Sequence, residues 1–134
     1  MAQRKITVIQ HNVLQWYNKC ISLSNTYKIL EPDIIFINSH CMPEDTTMKI
    51  PGYNIHKKNT LNIPVDCSAI AVKKNQQYKL LDNFIPTSTG NKIVSTLYQP
   101  PARDFIPTLD FIRLFRRQIP VYMVADINAN HTLL

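Results

Sequence analysis

Glycine is scarce in this chain, since Gly52 and Gly90 are the only two among 134 residues. A loop that wraps a phosphate needs several glycines at fixed spacing, because its backbone amides must approach the ligand closely. Neither the dinucleotide-binding pattern G-x-G-x-x-G nor a P-loop can be written into this sequence. The sequence therefore excludes the nucleotide-binding sites that depend on those motifs.

Cysteine is also sparse, and Cys20, Cys41 and Cys67 lie far apart. An odd number of cysteines at wide spacing predicts neither a disulfide framework nor a C-x-x-C metal site. The N-terminus has too short an apolar stretch for a signal peptide, and no later run is long enough to span a membrane. We therefore expect an intracellular protein, nuclear or cytoplasmic, with free thiols and no membrane partner.

Acidic residues are outnumbered, with 9 Asp and Glu against 15 Lys and Arg, and the formal charge is +6. A basic surface attracts a polyanion through charge and counterion release, which makes DNA the expected partner. The same residues, scattered along the chain, equally fit an ordinary solvated surface. Three basic pairs are the candidate substrate contacts: Lys57 and Lys58, Lys73 and Lys74, and Arg116 and Arg117.

The remaining composition, 45% hydrophobic and 18% charged, is typical of a folded globular chain. We predict one domain over residues 1–134, of mixed α/β class. Buried or partly buried strands are predicted at Lys5–Gln10, at Ile34–Asn38 and in PVYMVADIN near the end of the chain. Shorter strand candidates lie in YNIHKK, SAIAVKK, QYKLL and KIVSTLY.

Two helices complete the predicted fold. Between Leu14 and Leu30, an apolar stripe at steps of three and four residues indicates an amphipathic helix. The stripe consists of Trp16, Cys20, Leu23, Tyr27 and Leu30, and Trp16 is predicted to belong to the core. A second helix is predicted from Pro107 to about Gln118. We expect these helices to cover a sheet in which Lys5–Gln10, Ile34–Asn38 and Val121–Ala125 are neighbours.

Polar residues gather just past the ends of predicted strands. The positions are His11-Asn12, Asn38-Ser39-His40, Tyr98, and Asp126 with Asn128. Strand ends and the loops that follow them are common ligand sites in α/β proteins. We therefore expect Asn12 and Asp126 to approach each other at one edge of the sheet.

The combination of these segments resembles the endonuclease/exonuclease/phosphatase superfamily. It is most similar to the apurinic-type endonuclease domain that opens the polyprotein of jockey-like non-LTR retrotransposons. Asn12 in VIQHN, Tyr98 in LYQPP and the stretch ADINANH match family motifs in the family's order, with Ala125 replacing a glycine. PDIIFINSHC and SAIAVKK resemble two further family segments.

The resemblance implies a partial endonuclease/exonuclease/phosphatase sandwich that hydrolyses DNA phosphodiesters with Mg²⁺, nicking DNA for target-primed reverse transcription. Asp126 would orient or deprotonate the attacking water. Asn128 and Asn12 would hold phosphate and metal-linked water, with Asn12 on the metal side, and Tyr98 would contact the phosphate. A carboxylate and amides suit this chemistry, because negative charge builds on the phosphate oxygens and is stabilised by hydrogen-bond donors and by a metal cation.

Two departures from the family pattern predict weak or unmeasurable activity. Ser39 stands where the family has its metal-binding Glu, and the chain ends at Leu134, before the family's closing S-D-H segment. An acidic residue of the next loop, Glu44 or Asp45, would have to replace the missing charge. The alternatives are a non-catalytic nucleic-acid-binding remnant and a degenerate fragment without a specific function. An apolar face left uncovered in such a partial domain would favour self-association.

Overall fold

The computed structural model describes residues 5–43, 45–59, 67–79, 93–98, 116 and 120–126. The chain forms two compact units, Met1–Gln77 and Tyr78–Leu134, and each is described by itself. No helix within the described ranges is long and apolar enough to cross a membrane. The assignment of residues 1–134 to one domain stays a prediction.

Four strands of the first unit form one mixed sheet in the order β1-β2-β4-β3. The strands are β1 (Val8–Asn12), β2 (Ile34–Asn38), β3 (Tyr53–Asn59) and β4 (Cys67–Lys73). β1 and β2 run parallel, whereas β4 is antiparallel to both of its neighbours. Together with the helix described next, this sheet confirms the predicted α/β class. The predicted bounds of the first strand, Lys5–Gln10, were too early at both ends, since β1 spans Val8–Asn12.

The helix of this unit, α1, spans Cys20–Leu30, so its predicted start at Leu14 was wrong. Leu14 and Gln15 have φ angles of 40° and 74°, in the left-handed region that an α-helix cannot use. Trp16 is 3% exposed, which confirms its place in the core. Leu30, by contrast, is 57% exposed, so its predicted place in the apolar stripe does not put it in the core, and the helix ends after it in a left-handed turn at Glu31.

One face of the sheet packs against α1 and forms the hydrophobic core. Side chains alternate between the two faces of a strand, so Ile35 and Ile37 of β2 share this face. Their register partners in β4 are the small residues Ala71 and Ala69. The core also contains Trp16, Tyr27, Met42, Met48 and Ile50.

The other face of the sheet carries the alternate residues, including Gln10 of β1 and Phe36 and Asn38 of β2. Phe36 and Asn38 are both fully buried. The central strand β2 is therefore covered on both sides, as its continuous apolar run predicts.

The second unit contains β5 (Ile93–Tyr98) and β6 (Val121–Asp126), a parallel two-stranded sheet. The prediction that β6 would neighbour β1 and β2 was therefore wrong, whereas the pairing of β1 with β2 is confirmed. An apolar run indicates burial but does not identify the neighbouring strand. The predicted helix from Pro107 to Gln118 lies outside the described residues, apart from Arg116.

Candidate site at the ends of the parallel strands

Each parallel pair brings two predicted site residues into register at its carboxyl end. In the first unit, Asn12 is the register partner of Asn38. In the second unit, Tyr98 is the register partner of Asp126. Parallel strands end at the same edge of their sheet, so the polar ends lie side by side within each unit.

The wider grouping of the site stays a prediction. Asn12 and Asp126 belong to different units, and their expected approach is not tested. Asn128 lies outside the described residues. What the structure assembles is therefore one polar strand edge in each unit.

The two loops that follow β1 and β2 are joined by three backbone hydrogen bonds. The N–H groups of Val13, Gln15 and Trp16 donate to the carbonyl oxygens of Asn38, Ser39 and His40, at 3.0, 3.1 and 2.9 Å. These bonds extend the contact of the parallel strands beyond their ends. The edge is thus a fixed structure and not a pair of independent loops.

Backbone strain is concentrated in the same two loops. Among the described residues, five non-glycine positions have positive φ, and four of them lie here: Leu14, Gln15, Ser39 and Cys41. The left-handed conformation costs a non-glycine residue about 1–2 kcal/mol. Strain of this kind gathers at functional sites, where the surrounding structure maintains it.

Three consecutive polar residues at this edge, Asn38, Ser39 and His40, are fully buried. Within the described part of the chain, both polar atoms of the Asn38 amide and the Ser39 Oγ have no hydrogen-bond partner. A buried polar group without a partner costs about 1–3 kcal/mol. The Nε2 atom of Gln10, a residue that the sequence analysis did not identify, is also buried without a hydrogen-bond partner among the described residues.

His40 is held as a neutral imidazole. The Met42 N–H donates to its Nδ1 at 3.0 Å, so the proton of the neutral ring is on Nε2. Burial, assisted by the positive charge of Lys57, lowers the pKa of His40 to about 4, and a hydrogen bond with the Ser68 backbone opposes this shift more weakly. Protonation of Nδ1 would also break the bond to Met42.

We expect the free energy of unfolding to decrease as the pH is lowered from about 6.5 to about 4. In this window the unfolded chain binds a proton at His40 that the folded chain does not, so stability is lost toward acid. The difference between the two pKa values corresponds to about 3 kcal/mol. Urea denaturation at a series of pH values measures it.

The variant for this measurement is His40→Gln. It should flatten the pH dependence in this window, because it removes the group with the lowered pKa. An equal slope in wild type and His40→Gln would contradict the assignment of the lowered pKa to His40.

His11 makes a structural contact. Its Nδ1 lies 2.7 Å from the hydroxyl of Tyr27, which is fully buried under the sheet. Burial, with a smaller contribution from Tyr53, raises the pKa of Tyr27 to about 12, so the hydroxyl keeps its proton. This bond connects α1 to β1 one residue before Asn12.

The predicted DNA-contacting residues have different surroundings. The Lys57 Nζ donates to the carbonyl oxygens of Pro43, at 2.7 Å, and of Thr46, and so holds the loop after β2. Lys58 follows it in β3. Lys73 lies 4.0 Å from Glu31 in a largely exposed ion pair, which contributes little stability.

The other basic candidates, and the acidic residues Glu44 and Asp45, are either exposed or outside the described residues. Lys74 and Arg116 are exposed, and Arg117 lies outside the described residues. Asp45 is exposed, and Glu44 lies outside the described residues. The roles of the basic residues in DNA binding stay predictions.

Within the described ranges, no three His, Cys, Asp or Glu side chains are grouped so that they could hold a metal ion. At the polar edge of the first unit, the predicted site residues offer amide, hydroxyl and imidazole groups. Comparisons with protein-family models, with curated proteins and with solved structures found no match to this chain.

Proposed function

We propose that this chain is an endonuclease-type domain that hydrolyses DNA phosphodiesters, of the kind found in non-LTR retrotransposons. The observation that carries the proposal is the register of the two parallel pairs, Asn12 with Asn38 and Tyr98 with Asp126. Three of these residues match the family motifs, and each pair ends at a sheet edge where ligands commonly bind. A partial endonuclease/exonuclease/phosphatase sandwich is part of the same proposal.

The proposed roles follow the chemistry of each side chain. The Asp126 carboxylate orients or deprotonates the attacking water, as a general base must. Asn128 and Asn12 hold phosphate and metal-linked water, and the Tyr98 hydroxyl contacts the phosphate. Hydrogen-bond donors are needed at these places, since negative charge builds on the phosphate oxygens during hydrolysis.

The proposed cofactor is Mg²⁺, which prefers oxygen ligands and commonly binds through one or two carboxylates. Among the proposed site residues, Asn12 is the one on the metal side, and its amide oxygen is a ligand type that fits this ion. When bound, Mg²⁺ neutralises charge on the phosphate. Ser39 adds only a fully buried, uncharged hydroxyl in place of the family's Glu. We therefore propose weak metal affinity and slow hydrolysis.

One observation favours a second function, non-catalytic binding of nucleic acid. The strand edge of the first unit offers neutral polar groups and no carboxylate between Asn38 and Met42. Such an edge can bind a phosphate without the charge that holds a catalytic metal. Both functions require DNA binding, and only the first requires Asp126.

We expect weak, salt-sensitive DNA binding with little sequence preference, because the basic residues offer only general electrostatic attraction. Dissociation constants should be about 10⁻⁴ to 10⁻⁶ M at physiological salt. Fluorescence anisotropy of a labelled duplex, titrated at several salt concentrations, measures both the affinity and its salt dependence.

The exposed residue Lys74 provides a variant with one fewer charge. Lys74→Gln should reduce the slope of log K against log salt by about one if this residue meets a phosphate. Binding that does not change with salt, or no binding at low salt, would contradict the proposed interaction with DNA.

A further inference from the structure

The face of α1 that points away from the core carries two exposed isoleucines. Ile21, Asn25 and Ile29 recur at every fourth residue, so they form one row along the helix, which we call the outer row. Ile21 is 78% exposed and Ile29 is 80% exposed, and Asn25 between them is also exposed. Isoleucine is among the residues most often buried in folded proteins, so a pair of them at helical spacing in solvent indicates a contact surface.

The outer row is symmetric about its centre. When two copies of α1 pack antiparallel across a two-fold axis at Asn25, Ile21 of each copy meets Ile29 of the other, and the two Asn25 amides meet each other. An amide both donates and accepts hydrogen bonds, so the two amides can satisfy one another. Rows of every fourth residue are also the ridges that most often pack between helices, at a crossing angle of about 50°. The outer row is therefore complementary to a second copy of itself, as a two-fold interface requires.

The charges at the two ends of α1 favour the same arrangement. Lys19 is the N-cap residue, with its Nζ donating to the Val13 carbonyl oxygen at 2.8 Å, and Glu31 is the C-cap residue. The helix dipole favours the reverse, a negative charge at the N-terminus and a positive charge at the C-terminus. Antiparallel packing brings Glu31 of one copy toward Lys19 and the helix N-terminus of the other. Parallel packing would bring like charges together.

The body of the helix adds no repulsion to this arrangement. Lys28 is the only charged residue within Cys20–Leu30. In the antiparallel pair the two copies of Lys28 lie at opposite ends of the interface, on either side of the central Asn25. The charges on and around the outer row are therefore complementary to a second copy of this chain.

We propose that the outer row of α1 is the interface of a homodimer, in which two copies pack antiparallel about a two-fold axis at Asn25. The proposal is independent of the proposed function, because none of the proposed site residues belongs to α1. One helix from each copy gives a smaller interface than the roughly 1,200 Å² of a stable complex. The dimer therefore forms reversibly, between micromolar and millimolar concentration.

Sedimentation velocity of the full chain over this concentration range tests the proposal. The sedimentation coefficient should rise from the value of a monomer to that of a dimer and no further. Ile29→Gln should raise the dissociation constant about tenfold or more, because a two-fold axis makes each substitution count twice. The same variant should fold as wild type does, since the replaced side chain is in solvent.

The matched control is Leu30→Gln. Leu30 is the next residue of α1 and is also exposed, but it lies about 140° around the helix from Asn25. This variant should dimerise as wild type does. Equal dimerisation by wild type and Ile29→Gln, or a monomer at every concentration, would overturn the proposal.

A charge reversal tests the antiparallel direction. Glu31→Lys should weaken the dimer at low salt, and its ion pair with Lys73 is too exposed to matter for folding. Combining this change with Lys19→Glu in one chain restores opposite charges at the facing ends, and should restore dimerisation. A double variant as weak as Glu31→Lys alone would overturn the antiparallel arrangement.

Two other uses of this face are distinguished with the same samples. Binding of monomeric wild type, but not of Ile29→Gln, to vesicles of phosphatidylserine and phosphatidylcholine would show that the outer row meets lipid, and would overturn the homodimer. Species larger than a dimer that persist in Ile29→Gln would show that association uses another face, and would overturn it as well.

Discussion

Replacement of Tyr27 by Ala is expected to lower the free energy of unfolding by about 3–5 kcal/mol, the cost typical of removing a large aromatic side chain from a core. Tyr27 is fully buried between α1 and the sheet, and its hydroxyl lies 2.7 Å from the His11 Nδ1. The substitution leaves a cavity and deprives the His11 ring of its partner. Urea denaturation followed by circular dichroism measures the loss.

Two further tyrosine variants separate packing from hydrogen bonding. Tyr27→Phe keeps the ring and removes only the hydroxyl, so it should cost about 1 kcal/mol. Tyr17→Ala removes a side chain that is 58% exposed and should change stability by no more than about 0.5 kcal/mol. A loss in Tyr27→Ala no greater than in Tyr17→Ala would contradict the assignment of Tyr27 to the core.

The sequence predicted the fold best where one physical signal was sufficient. The continuous apolar run at Ile34–Asn38 gave the bounds of β2, since a strand covered on both faces needs such a run. The start of α1 was not predictable in this way. Trp16 continues the apolar stripe and is buried, although the left-handed residues Leu14 and Gln15 exclude a helix before it. The apolar periodicity indicates which side chains are buried. It does not show whether they belong to a helix or to a loop.

The candidate site was also predictable from the sequence only in part. The placement of polar residues at strand ends was predictable, because β-strand patterns locate those ends. The parallel pairing of β5 with β6 was not, since an apolar strand can be buried beside any neighbour. The complete burial of Asn38, Ser39 and His40 was also not predictable, because three polar residues after a strand ordinarily indicate an exposed turn.

The second large effect concerns catalysis. This chain is expected to nick DNA far more slowly than a family member with the metal-binding Glu, or not measurably; losing one electrostatic stabiliser of the transition state typically costs about 10² to 10³ in rate. Ser39, fully buried and uncharged, cannot replace that carboxylate. The rate contributions of residues within one catalytic unit do not add. The expected loss of nicking rate is therefore stated for the whole site and is not divided among its residues.

Ser39→Glu is not expected to restore activity. The Ser39 side chain is fully buried and its φ of 55° is in the left-handed region, so a larger charged side chain would meet both steric strain and desolvation. Ser39→Ala provides the small uncharged control. Nicking by Ser39→Glu at the rate of a family member with the Glu would show that the absent charge is the whole cause of the deficit.

The conversion of supercoiled plasmid to open circle in the presence of Mg²⁺, by wild type and by Asp126→Ala, tests the proposed function most directly. Tyr122→Phe, a change at a half-exposed residue of the same strand, controls for damage to β6. The account predicts slow nicking by wild type and Tyr122→Phe that requires Mg²⁺ and disappears in Asp126→Ala. Nicking by Asp126→Ala at the wild-type rate would contradict it.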